Sequence, residues 1–193
     1  MNKRFFSDSH THSKHSFDGN DPVMMLCEQA IKLGLYSISI TDHCECNEYF
    51  FNNVRKSIEA SVMSSGKARA SYGSKMKVYT GIELGQPTQN KLAADDVLSL
   101  CDYDFVIGSL HNLKNEQDFY FLEYNNDNVN DLLERYFTQL YELAVDNRFD
   151  TLAHMTYPLR YIVGNVTKEI KYDTYKEMID EVLNCLLYTS DAA

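Results

Sequence analysis

The sequence predicts an α/β fold whose parallel strands close as a barrel, and three observations point there. Short β-prone runs alternate with longer helical patterns five times along the chain. The connections are short except for the polar, Asn-rich stretch from Lys114 to Asn128. Each strand-like run leads into a residue type that binds metal ions.

The elements follow in order. The first strand covers Arg4 to His10 and leads to a helix from Pro22 to Leu33. In that helix Val23, Leu26, Cys27, Ala30 and Ile31 recur at helical spacing. Pro22 suits a first helical position and Gly34 a helix end. The second strand is Tyr36 to Ile40, with a helix expected around Tyr49 to Met63. The third is Met76 to Ile82, followed by a helix near Leu92 to Leu100. The fourth is Phe105 to Ser109, with its helix over Val129 to Val145. The fifth is Phe149 to Ala153, and a last helix begins after Thr167. Strand-then-helix units in series require parallel strands.

The strand ends choose between an open sheet and a barrel. The first strand runs into His10-Thr11-His12 and the second into Thr41-Asp42-His43. The third runs into Glu83, the fourth into His111 and the fifth into His154. Five of the six histidines therefore lie at strand ends. Side chains alternate along a strand, so His10 and His12 point to one side. In a barrel the carboxyl ends of the strands converge on one face, whereas an open sheet spreads them along a line. Only the barrel makes one cluster. Imidazole and carboxylate donors suit Zn²⁺, Mn²⁺ or Fe²⁺ and are too nitrogen-rich for Ca²⁺ or Mg²⁺. Glu83 is the natural bridge, because a carboxylate has two oxygens to offer. Such a cluster lowers the pKa of water and clamps an oxyanion, which is hydrolytic chemistry, most often on phosphate esters.

Several neighbours read differently. His15 breaks the two-residue alternation and is expected as a supporting or surface residue more than a ligand. Asp18 precedes Gly19 and suits either turn chemistry or ligation. Asp42 would orient His43 or cap a helix. Cys44 and Cys46 lack the second cysteine pair of a zinc ribbon.

Composition limits the partners. With 193 residues, 44% hydrophobic and 24% charged, the chain fits one ordinary folded domain. A net charge of −10 gives no global attraction to nucleic acid or to an anionic membrane. No apolar run approaches the roughly 18 residues of a membrane span. The polar start and five scattered cysteines argue for a cytoplasmic protein without a disulfide framework.

The ordered motifs Asp8-Ser9-His10-Thr11-His12, Ser16-Phe17-Asp18-Gly19, Thr41-Asp42-His43, Gly81-Ile82-Glu83-Leu84-Gly85 and Gly108-Ser109-Leu110-His111 carry a resemblance. They resemble the successive motifs of the PHP (polymerase and histidinol phosphatase) superfamily. Glu83-Leu84-Gly85-Gln86-Pro87 and Asp104 to Asn112 are similar to its histidinol-phosphate phosphatase branch. The likeness runs from the N-terminus to about Arg160-Tyr161. It implies a distorted seven-stranded β/α barrel with a trinuclear centre of Zn, Mn or Fe. By that resemblance His10, His12 and Glu83 hold one ion, and Glu83 bridges to a second held by His111 and His154. His43 serves the third ion. Asp18 stands where many relatives have histidine, matches the Ser-x-Asp-Gly variant of the branch, and can ligate. Arg160 falls where the branch has a phosphate-binding arginine.

The implied activity is hydrolysis of L-histidinol phosphate to L-histidinol and phosphate in histidine biosynthesis. Glu83, His43 and Arg160 are the expected catalytic residues, and no side-chain nucleophile is needed. Two alternatives stay open. One is a PHP phosphoesterase acting on phosphotyrosine or a nucleotide, which would differ in loops such as Lys114 to Asn128. The other is a non-catalytic PHP module, whose degraded ligands would mark it; here all the strand-end positions are intact.

One departure concerns the end of the chain. The family supplies an Asp-x-His motif near its C-terminus, which is absent here, and its barrel needs two more β/α units. Cys185 to Ala193 looks like the translated end of a transposon-based sequencing adaptor. The expectation is an incomplete PHP domain over residues 1–184, largely inactive by itself, with a non-native tail over 185–193.

Overall fold

The computed structural model describes residues 6–167 and 169–190. The predicted start of the first strand at Arg4 and Phe5, and the last three residues of the expected tail, lie outside the described residues. The element order is β1 (Ser7–Thr11), α1 (Val23–Leu33), β2 (Ser37–Ile40), β3 (His43–Glu45), α2 (Val54–Tyr72), β4 (Lys77–Gly85) and α3 (Lys91–Leu98). It continues with β5 (Phe105–Ser109), α4 (Val129–Asp146), β6 (Thr151–Leu152), α5 (Leu159–Ile162) and α6 (Tyr172–Ser190). The chain divides into two compact units. The first is Met1–Ile107 with Phe149–Thr151, and the second is Gly108–Arg148 with Leu152–Ala193.

The strands lie in the order β1-β2-β4-β5-β6, and β3 pairs with β4 beside this path. The order advances without reversing, as in a singly wound barrel and unlike a doubly wound open sheet. β1 with β2, β2 with β4 and β3 with β4 all pair in parallel.

In the first unit the alternation along β4 separates core from chemistry. Val78, Ile82 and Leu84 enter the apolar clusters formed with α1, α2 and α3. Glu83 therefore points to the opposite face of the strand. Each fully buried aliphatic side chain contributes about 1.5–3 kcal/mol, so these clusters fix where Glu83 stands. Helix α1 buries Val23, Cys27 and Ala30 and ends at Gly34, whose left-handed φ of 74° suits glycine. Pro22 takes the capping position one residue before the first helical turn.

Strand β4 runs past Glu83 to Gly85, the fifth predicted strand shortens to Thr151–Leu152, and two larger shifts fall in the first unit. The second helix starts at Val54 rather than near Tyr49, and it runs on to Tyr72. Tyr49 is buried, and its hydroxyl donates 2.6 Å to Asp96 on α3. That tie holds the 47–52 segment as turns, and Asn53, with φ 55°, opens the helix. The helix continues because Ile58, Ser61, Ser65 and Ala68 form one buried stripe of helical spacing. The second shift is the extra strand β3, which the sequence places as a loop after the second strand.

In the second unit α4 buries Val129, Leu132, Leu133, Tyr136, Phe137, Leu140, Leu143 and Ala144, an amphipathic stripe. It packs on α6, where the Tyr175 ring lies 5.5 Å from that of Phe137. Helix α6 passes Asn184 and Cys185 without a break.

Candidate metal centre

The first unit gathers five of the predicted residues. Parallel pairing of β3 with β4 sets His43 opposite Glu83. The Glu83 carboxyl is fully buried, and three imidazoles converge on its Oε2. His10 Nε2 lies at 3.1 Å, His12 Nε2 at 3.0 Å and His43 Nδ1 at 3.2 Å. His10 and His12 reach the same oxygen because they are two residues apart, as their alternation predicts. On its other side, His12 Nδ1 lies 3.1 and 3.0 Å from the two oxygens of Asp18. Asp18 Oδ2 is also 3.5 Å from His43 Nε2.

These residues fit a divalent ion. A carboxylate oxygen has about two lone pairs, so three ring nitrogens around one oxygen exceed what ordinary hydrogen bonding uses. Buried His12 Nε2 has no hydrogen bond aimed along that contact. A cation held by His10 Nε2, His12 Nε2 and the Glu83 carboxylate satisfies both these rings and the buried charge. The ligand atoms of His10, His12 and Glu83 lie within 4.8 Å of one another, as do those of His12, Asp18 and His43.

The electrostatics follow from that crowding. For His43, burial opposes the charged ring, but Asp18, Glu45 and Glu83 outweigh it and push the pKa up to about 10. His12 moves up for the same reasons, burial and the His43 charge opposing and the Glu83 and Asp18 carboxylates prevailing. The neighbouring His43 holds the Asp18 carboxyl well below the usual range, with His12 adding to it and partial burial opposing.

Asp42 builds the scaffold under this site. Its Oδ1 accepts from Ser13 N at 2.6 Å and Ser16 Oγ at 2.8 Å, and its Oδ2 from Ser13 Oγ at 2.7 Å. Ser61 Oγ on α2 donates to the same Oδ2. Ser16 Oγ in turn accepts from His43 N at 2.9 Å. One buried carboxylate thus ties the loop carrying His12 and Asp18 to the strand end carrying His43. Gly19 closes that loop, since a Cβ there would stand 2.0 Å from the Ser13 carbonyl oxygen. His15 is not part of the cluster: its Nε2 lies 3.0 Å from Ser64 Oγ.

The second unit holds His111, His154 and Arg160. The two histidine rings are 5.2 Å apart, and Tyr157 leans on both at 4.9 and 5.1 Å. The Tyr157 hydroxyl donates to Asp118, 3.1 and 3.2 Å from its two oxygens, and accepts from Tyr161 at 3.2 Å. His111 O accepts from Phe119 N at 3.0 Å, so the 112–122 segment folds back on the histidine. Arg160 is exposed on α5, and its backbone N–H donates to Tyr157 O.

Sequence reasoning passed over Glu45, Tyr157 and Phe17. Phe17 is exposed and stacks on His43 with ring centroids 4.7 Å apart. Glu45 Oε1 lies 3.0 Å from His43 Nδ1. Recognising His43–Glu45 as a strand would have found it, since alternate residues share a face.

Residues 8–188 match the family described as PHP domain. A curated relative from Clostridium acetobutylicum, named "Probable histidinol-phosphatase", is 30% identical over 185 residues, which are 93% of this chain and 68% of the relative. The histidinol-phosphatase of Lactococcus lactis subsp. lactis is 24% identical over 184 residues, 93% of this chain and 66% of its own. The chain thus spans about two thirds of the length of these relatives. The fold is shared with the crystal structure of the Lactococcus lactis histidinol phosphate phosphatase complexed with zinc, L-histidinol and phosphate. There the TM-score is 0.74 at 22% identity, covering 94% of this chain and 69% of that one. A solved structure from Listeria monocytogenes gives a TM-score of 0.70 at 15% identity, over 95% of this chain and 79% of that one.

Proposed function

Because the chain belongs to the PHP domain family, we propose that it is a metal-dependent phosphomonoesterase that hydrolyses L-histidinol phosphate to L-histidinol and phosphate. The observation that carries the reading is the convergence of His10, His12 and His43 on one oxygen of the buried Glu83. The curated relatives named for this activity support the substrate.

In this reading His10, His12, Asp18, His43 and Glu83 are the metal ligands of the first unit, and His111 and His154 those of the second. The complement is three divalent ions, of Zn, Mn or Fe. When bound, such ions lower the pKa of water and clamp phosphate oxygens. The chain's own residues do the rest. Asp18, whose carboxyl His43 holds well below the usual range, and Glu83 offer the carboxylate oxygens of the set. Arg160 offers a guanidinium fork whose geometry matches a phosphate dianion. Asp42 holds the loop that carries His12 and Asp18. The reaction belongs to histidine biosynthesis, in the cytoplasm, with a small molecule as partner. Among the described residues no helix is long and apolar enough to cross a membrane.

The test is a panel of phosphate esters given to the purified protein, with Zn²⁺, Mn²⁺ and Fe²⁺ in turn. Histidinol phosphate should be hydrolysed with the highest kcat/KM. Equal or better turnover of phosphotyrosine or a nucleotide would overturn the substrate while keeping the hydrolase. No metal-dependent turnover of any ester would overturn both.

A further inference from the structure

Glu45 sits between His43 and a second set of contacts that hold it there. β3 is three residues long, so His43 and Glu45 share a face. Glu45 Oε1 lies 3.0 Å from His43 Nδ1. Its other oxygen accepts a hydrogen bond of 2.6 Å from Gln86 Nε2, which also donates to Asn47 Oδ1 at 3.3 Å. Gln86 is buried, and its φ of 49° is a left-handed conformation that non-glycine residues seldom adopt without compensating contacts. Gly85 stands opposite Glu45 in the β3–β4 register, and a Cβ there would lie 2.5 Å from Glu45 Oε2. The backbone at 85 and 86 is shaped around this carboxylate.

We propose that Glu45, braced by Gln86 and accommodated by Gly85, is a positioning residue that sets the tautomer and direction of His43 in the metal site. The inference rests on the metal reading above. A neutral imidazole carries one N–H and one lone pair. A carboxylate beside Nδ1 keeps the proton on that nitrogen and leaves Nε2 as the ligand atom. Nε2 is the His43 nitrogen that faces Asp18. Glu83 Oε2 also lies near Nδ1, but His10 and His12 share that oxygen. Glu45 divides its two oxygens between His43 and Gln86, so the imidazole keeps one acceptor when Glu83 is engaged elsewhere.

The experiment titrates Zn²⁺ into the chelator-treated chain against a competing chelator and records the ¹⁵N shifts of the His43 ring in the zinc-loaded protein. Wild type should show the Nδ1–H form. Glu45→Ala should weaken one class of Zn²⁺ sites by about 10–100-fold, the usual cost of losing a group that orients a ligand, and give a mixture of tautomers. Glu45→Gln keeps a carbonyl acceptor and should recover much of that loss. Gly85→Ala keeps Glu45 but pushes its carboxyl aside, so it should reproduce the Glu45→Ala binding defect. Gln86→Leu should give a smaller loss in the same class of sites, with no further loss when combined with Glu45→Ala. Folded Glu45→Ala and Gly85→Ala proteins with wild-type Zn²⁺ affinity and an unchanged His43 tautomer would overturn the proposal. A wild-type chain that binds no Zn²⁺ would remove the metal reading itself, and the proposal with it.

Discussion

At the scale of single residues, the buried Asp42 carboxylate holds together the segments that carry His12, Asp18 and His43. Asp42 gathers donors from Ser13, Ser16 and Ser61, which come from two separate segments of the chain. Hydrogen bonds to a charged group are worth about 1.5–3 kcal/mol each, and orphaning their partners adds to the loss. Asp42→Ala should therefore lower unfolding stability by about 2–4 kcal/mol in a denaturant titration. Asp42→Asn, which keeps one acceptor oxygen, should cost less; an Ala variant as stable as wild type would contradict the hub. His43 adds a pH dependence. Its pKa in the metal-free folded protein is raised from 6.5 to about 10, so its contribution to stability is fully present below about 6.5 and is lost as pH rises through about 10. A ligating imidazole must be neutral, so Zn²⁺ binding near pH 7.5 should release at least one proton. Calorimetric titrations in buffers of different ionisation enthalpy measure this, and equal heats in all of them would contradict it. That His10 and His12 meet at Glu83 was legible in the sequence, because strand alternation puts them on one side without tertiary knowledge. The role of Asp42 was not, because it depends on serines that the fold alone brings to it.

At the scale of elements, legibility tracks pattern length. Helix α4 and strand β5 match the sequence reading closely because their apolar periodicity is long or sharply bounded. Strand β3 escaped because His43-Cys44-Glu45 has no β-branched residue and only three positions. It forms because Cys44 is buried beside Leu84 and Ile82 in the core of the first unit. The start of α2 escaped for a different reason, the Tyr49–Asp96 tie between distant segments. The loop after β5, where the sequence reading looked for substrate specificity, is tied down in the second unit. Tyr157→Phe removes its hydroxyl contact to Asp118. The amides of Phe119 and Tyr120 should then exchange faster with solvent, by a factor of about 10–100 for a charge-assisted bond of about 1.5–3 kcal/mol. Unchanged protection at both amides would show that the loop does not rely on that tether.

At the scale of the molecule, the net charge is −10, while the imidazoles of His10, His12 and His43 gather on one buried carboxylate. The acidic surface suits recruitment of metal cations and makes association with a nucleic-acid backbone unfavourable. In the proposed reading the deciding chemistry is local, with Glu83 at its centre. Its carboxyl lies on the face of β4 opposite the core, fully buried, with three imidazole nitrogens around one oxygen. The most direct measurement is the metal content of purified Glu83→Ala, compared with wild type by elemental analysis after identical loading with Zn²⁺. The account predicts that the variant stays folded and loses more than one equivalent of metal per chain, with Glu83→Gln intermediate. Equal metal content in Glu83→Ala and wild type would contradict it.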